Sequence, residues 1–249
     1  VGSEMCIRDS GGTDEEVINQ AAKQNPALLK NVYSASSMWA ANAATFSPSI
    51  DSYDQNIHIT PANLNSMFHR SIEHEFTKTQ LELMFGGVAQ VHNPIKNISG
   101  YGDEGAANHL RVSAQHLMPG FQIFVYGSSA FESHQGIIAR QAEEISQAVS
   151  TQHQLDPERV LFLKQNEQAI NSGSFHNDIV SLANENVFIA HEKAFENKAD
   201  LNELIVIFKA NVNNFSYIEI PDALINLKDL VSSYLLNSQL VTKSDNQMM

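Results

Sequence analysis

The chain has 249 residues, 43% of them hydrophobic, and 28 acidic against 15 basic side chains give a formal charge of −13. Such a chain buries roughly 70 to 75% of the surface its unfolded form exposes, so a globular protein is expected. The acidity argues against nucleic acid or an anionic membrane as partner, because both attract concentrated positive charge, and no apolar run approaches the roughly 18 residues of a membrane span.

The opening residues 1–11 lack hydrophobic periodicity and resemble translated sequencing-adapter read-through, so they are set aside as non-native. They contain Cys6, the one cysteine, which excludes an internal disulfide framework and a cysteine-rich zinc site. No signal segment opens the chain, and residues 12–249 are expected to form a single cytoplasmic domain.

Thr13 and Glu16 form a capping-box pattern ahead of Val17, Ile18, Ala21 and Ala22, which predicts a helix that ends by Pro26. Thr77 and Gln80 open a second helix carrying Leu81, Leu83, Met84 and Phe85, closed by Gly86 and Gly87. Residues 122–127 read as a strand, and 140–152 as a helix with Ala142, Ile145, Ala148 and Val149 on one face. Strands follow over 160–163, 178–182 and 187–190, the last two forming a hairpin around 184–186. A helix over 200–210 with Leu201, Leu204, Ile205 and Phe208 precedes a strand over 217–220. This order suggests copies of a ββαβ unit and an α/β fold with mixed sheets.

Two segments carry chemistry. In an extended strand His176 and Asp178 share a face, which sets a proton carrier beside a carboxylate, and Glu104 lies in the glycine-flanked run 102–109. Two acids and a histidine suit a cationic planar group such as a guanidinium, whose fork pairs with carboxylates, although a His-x-Asp pair is more often an ordinary polar pair. Arg140 at a helix start opposes the helix dipole, which favours a ligand role for it. Trp39 reads as core packing. His69, Glu73, His74 and Glu75 are close together, but no His-Glu-x-x-His pattern is present, and neither a metal nor a cofactor is expected.

Residues 36–45, 62–71, 102–109, 124–127, 139–141, 175–178 and 234–240 together resemble, in order and spacing, the N-succinylarginine dihydrolase family of the pentein, or guanidine-modifying, superfamily. The resemblance covers 12–249. It implies an α/β propeller of repeated ββαβ modules, of which this chain would be the incomplete central part, and a homodimer. The implied reaction is metal-free hydrolysis of N2-succinyl-L-arginine, a small-molecule substrate, to N2-succinylornithine, two ammonia and carbon dioxide in arginine catabolism. Glu104 and His176 would be the catalytic acid/base pair, and Asn42, His69, Arg70, Arg140 and Asp178 would bind substrate. The nucleophilic cysteine of the family follows a glycine-rich run expected beyond Met249, so the 249 residues alone are expected to be inactive. A guanidine-binding protein without chemistry, or another arginine-modifying pentein enzyme, are the alternatives.

Overall fold

The computed structural model of the chain describes residues 12–26, 42–66, 68–96, 98, 100–129, 139–244 and 248–249. Cys6, Trp39 and residues 36–41 of the first motif lie outside them, as does the side chain of His69. Helix α1, Asp14–Gln24, begins at the expected box: the Thr13 N–H donates to Glu16 Oε2 at 2.8 Å and the Glu16 N–H to Thr13 Oγ1 at 3.3 Å.

A first unit follows, with strands β1 (Ala44–Ser47) and β2 (Ile57–Pro61), the short helix α2 (Phe68–Ser71), helix α3 (His74–Phe85) and strand β3 (Ala89–Val91). The second unit holds β4 (His109–Ser113), β5 (Gly120–Tyr126), helix α4 (Glu143–Gln152) and β6 (Val160–Lys164). After the short helix α5 (Glu167–Asn171), the third holds β7 (Ser181–Asn184), β8 (Val187–His191), helix α6 (Lys198–Asn211) and β9 (Ser216–Ile220), and helix α7 (Leu227–Ser233) comes last. Each unit makes a three-stranded sheet with the same pairing: its first two strands are antiparallel, and its second and third are parallel across the intervening helix. The expected ββαβ modules are therefore present as mixed α/β sheets. No helix among the described residues is long and apolar enough to cross a membrane.

The largest apolar core runs through the second and third units. Val112, Phe121, Ile123 and Val125 from β4 and β5 meet Phe188 and Ala190 from β8 and Leu201, Leu204, Ile205 and Phe208 from α6. Six successive residues of β5 are buried, because a strand covered on both faces has no solvent side and so reads as a continuous apolar run. The first unit is held differently. Asp51 accepts hydrogen bonds from Arg111 Nε and Nη2 at 2.6 and 3.0 Å, from the Gly120 N–H at 2.8 Å and from Gln122 Nε2, which ties the first unit to β4 and β5.

Three expected elements differ from the observed ones, the first being the helix expected to open at Thr77, which begins at His74 with Glu73 at its N-cap and Thr77 inside it. Residues 176–178 are not a strand: His176 is extended (φ −126°, ψ 151°) and a 3₁₀ turn, Asn177–Ile179, follows it. The reason is local, since the Asn177 side chain accepts the Ser181 hydroxyl at 2.8 Å while the Asn177 N–H donates to Asn108 Oδ1 at 2.7 Å, and asparagine engaged in this way favours turns over strands. The helix expected from residue 140 begins only at Glu143, because the Ala142 N–H is bonded to the Gly102 carbonyl and Ala142 is extended. Glu143 and Glu144 then occupy the first turn, where the dipole favours acids, and Arg140 stands outside the helix.

Candidate active site

The loop between β3 and β4 is shaped to bury a carboxylate. The Asp103 N–H donates to Asn63 Oδ1 at 2.9 Å, the Leu64 N–H to the Asp103 carbonyl at 2.9 Å, and Asn63 Nδ2 to the Tyr101 carbonyl at 2.8 Å. Gly105 has φ +61°, and a Cβ there would stand 2.6 Å from the Asn42 carbonyl, so both the backbone angle and the close approach require glycine. The loop thereby turns Glu104 inward, where its side chain has no exposure.

Four hydrogen bonds meet the Glu104 carboxylate. Ser66 Oγ and Arg70 Nη1 donate to Oε1 at 2.9 and 3.0 Å, while Arg70 Nη2 and His176 Nε2 approach Oε2 at 2.6 and 2.7 Å. Burial alone would raise the Glu104 pKa, but the hydrogen bond and charge of His176 and the Arg70 guanidinium outweigh it and pull the group down to about 2. Glu104 is thus an anion at any physiological pH. Ser174 holds the His176 loop by donating to the His176 carbonyl at 2.9 Å, and the bond from the Asn177 N–H to Asn108 joins that loop to the 3₁₀ turn after Glu104.

Arg140 lies across the same site with its guanidinium carbon 4.4 Å from the centroid of the Phe175 ring, next to His176. Asp178 sits in the 3₁₀ turn and lines a cavity of about 570 Å³ together with His109, Asn184 and Asn237. Its Oδ2 accepts from Asn237 Nδ2 at 2.9 Å, its Oδ1 is buried without a hydrogen-bond partner among the described residues, and burial raises its pKa against the opposing pull of His176.

Of the residues expected to form the site, the structure brings Glu104, His176, Arg70 and Arg140 together, with the Asn42 backbone packed behind Gly105. It brings Asp178 to the same loop but not into contact with Glu104, and the His69 side chain is outside the described residues. Sequence reasoning gave no role to Ser66, Gln141, Phe175 or Asn237. Each lies inside a motif singled out above; Ser66, Gln141 and Phe175 are also within a few positions of an assigned residue, whereas Asn237 has no assigned neighbour in sequence and meets Asp178 only through the fold.

The family model of succinylarginine dihydrolase matches residues 4–249. The chain belongs to the succinylarginine dihydrolase family. It is 43% identical over 251 residues to the N-succinylarginine dihydrolase of Photorhabdus laumondii subsp. laumondii, an alignment that covers 98% of this chain and 56% of that protein. It is 44% identical over 246 residues to the N-succinylarginine dihydrolase of Yersinia pseudotuberculosis serotype O:1b, covering 96% of this chain and 55% of the relative. The chain spans about half the length of these relatives. Within the succinylarginine dihydrolase match lie all the residues that surround Glu104.

Proposed function

We propose that the protein hydrolyses N2-succinyl-L-arginine, consuming two waters and releasing N2-succinylornithine, two ammonia and carbon dioxide. The observation that carries this reading is a fully buried glutamate held as an anion against a histidine, in a chain of this family. A guanidinium carbon is resonance-stabilised and weakly electrophilic, so its hydrolysis requires a fixed cation, an attacking group and a proton carrier.

His176 is the proton carrier. Its Nε2 faces Glu104 Oε2 at 2.7 Å, so the carboxylate stabilises the imidazolium that protonates departing ammonia, and the neutral ring then takes a proton from the hydrolytic water. Arg70 and Ser66 keep Glu104 ionised and oriented. Asp178 grips the guanidinium: its unpartnered Oδ1 is an acceptor suited to the N–H fork. Arg140, with no hydrogen bond or ion pair to its guanidinium among the described residues, receives the carboxylate end, and Asn42 and His69 complete the substrate site. The attacking sulfur implied by the family resemblance is not among the described residues, which supply the proton traffic and the grip on the cation.

The same proposal includes the architecture. Residues 12–249 form the incomplete, central part of one catalytic domain, the three ββαβ units are blades of a pentein propeller around Glu104, and the protein is a cytoplasmic homodimer without metal or cofactor. The repeated antiparallel-then-parallel sheets support the blades.

Ammonia release from succinylarginine by the product of the full reading frame tests the activity. Turnover of two ammonia per ornithine derivative, unchanged in chelator, is the expected result. Binding without release would favour the guanidine-binding alternative, and release of one ammonia with a citrulline product would assign another pentein chemistry. Arg140→Ala should raise KM for succinylarginine, with a smaller penalty on an analogue lacking the partner carboxylate.

A further inference from the structure

The segment bearing Arg140 is laced to the segment bearing Glu104. The Ala142 N–H donates to the Gly102 carbonyl at 2.9 Å and the Glu104 N–H to Gln141 Oε1 at 2.7 Å, while Gln141 Nε2 reaches Asp103 Oδ1 at 3.4 Å. A Cβ on Gly102 would stand 2.1 Å from the Arg140 carbonyl, so the two backbones approach more closely than any side chain allows. Gln141 itself is buried and anchored. Its carbonyl accepts the Gly127 and Ser128 N–H groups, both at 3.1 Å, and the Ser128 hydroxyl at 2.9 Å, while its Nε2 also meets Ser146 Oγ at 3.2 Å in the first turn of α4.

Both ends of the Gln141 amide are therefore committed to the Glu104 loop and to α4, and its backbone to the end of β5. The residue touches neither the Glu104 carboxylate nor the Arg140 guanidinium, yet it is the connection between the two chain segments that present them. We propose that Gln141 is a positioning residue that fixes the separation of Glu104 and Arg140, and so sets the length of guanidino acid the site accepts. This rests on the reading above, in which Glu104 serves the guanidino end and Arg140 the carboxylate end. A substrate spanning two rigidly spaced charged groups loses one contact when its chain is a methylene too short or too long, because neither group can follow it.

The test measures kcat/KM of the full reading frame's product for succinylarginine and for its analogues with the side chain one methylene shorter and one longer. The unsubstituted protein should prefer the natural length by roughly tenfold or more, in the range one methylene commonly confers. Gln141→Leu, which removes all three amide contacts, should cut that preference by at least about threefold. Gln141→Glu keeps an acceptor for the Glu104 N–H and should hold the preference within about twofold. Should the leucine variant fail to fold, Gly102→Ala, which drives a methyl against the Arg140 carbonyl, reads the same ratio and should lower it as well. An unchanged preference in either soluble variant, with only thermal stability or the amount of active protein reduced, overturns the positioning role. No ammonia from the unsubstituted protein overturns the activity on which it stands.

Discussion

Two buried clusters in this chain are built from the same residue types and do opposite things with charge. Around Glu104, an anion is enclosed by an arginine fork, a hydroxyl and His176, so that full charges balance inside the protein. Between the first and second units, His58, His92 and His153 stack with ring centroids 5.1 to 5.5 Å apart, and burial disfavours charge on His92 and His153. His58 Nε2 meets Asp54 Oδ1 at 2.9 Å and its Nδ1 meets His92 Nε2 at 2.8 Å. Thr60 donates to Gln152 Oε1 and so accepts from His153 Nε2–H, which leaves His153 Nδ1 to accept the Ser47 hydroxyl. The first cluster stores charge next to an open acceptor on Asp178, while the second satisfies every ring nitrogen named and holds two units together. Burial alone therefore does not separate the two kinds of histidine: His153 meets two hydroxyls, whereas His176 meets a carboxylate held by an arginine.

The sharpest break between the clusters is expected in turnover. His176→Ala should lower kcat by about 10²- to 10⁴-fold, the usual worth of a positioned acid/base, with a much smaller change in KM. His92→Phe, in the other cluster, should leave kcat within about twofold. A loss below tenfold for His176→Ala, or a comparable loss for His92→Phe, would erase the functional distinction.

Stability should separate them next. Arg70→Met leaves Glu104 buried with its bidentate guanidinium partner gone, and removing one side of a buried ion pair costs about 3–5 kcal/mol. His92→Phe removes one neutral hydrogen bond at a half-buried ring, for which about 1–2 kcal/mol is expected. Urea unfolding monitored by far-ultraviolet circular dichroism checks both, and equal losses would mean that Glu104 is not held as an ion.

The contrast also explains what could be read from the residues alone. The third unit was legible because its strands and α6 bury Leu201, Leu204, Ile205 and Phe208 at ordinary apolar spacing. Of the first unit only the helix was legible; its strands were not, because Ser47, His58 and Thr60 are fully buried polar residues on β1 and β2, and a search for apolar alternation passes over them. β4 was missed for the same reason, since Arg111 in it is turned on Asp51. In the site, the assigned residues were, apart from Asn42, acids, arginines and histidines. Ser66 and Gln141 escaped because a serine or glutamine acquires its meaning only from the carboxylate loop it contacts, which is distant in sequence.

The smallest expected effect is the pH dependence of stability, where the two clusters should fail in separate windows. His153 is pushed from about 6.5 down to about 2, first by burial and then by His92, His109 and His58. Between those values the unfolded chain binds the extra proton, so the contribution of the stack is complete above pH 6.5 and is lost as pH falls. Glu104, lowered from 4.5 to about 2, keeps its contribution until pH drops below 4.5. Asp103 works in the opposite sense. Burial raises it from 3.8 to about 6, so its contribution is complete below 3.8 and is lost as pH rises through 6, which masks part of the histidine slope in the native protein. A variant comparison removes that masking. His153→Gln retains a donor and an acceptor for Thr60 and Ser47 but takes up no proton, so the stability difference between it and the unsubstituted protein should move in its favour by up to about 1.4 kcal/mol per pH unit between pH 6 and 4.5. Urea unfolding at pH 7.5, 6 and 5 measures this difference. Parallel pH slopes would mean that His153 already accepts a proton in the folded chain, and the contrast between its hydroxyl-bound ring and the carboxylate-bound ring of His176 would fail at its weakest point.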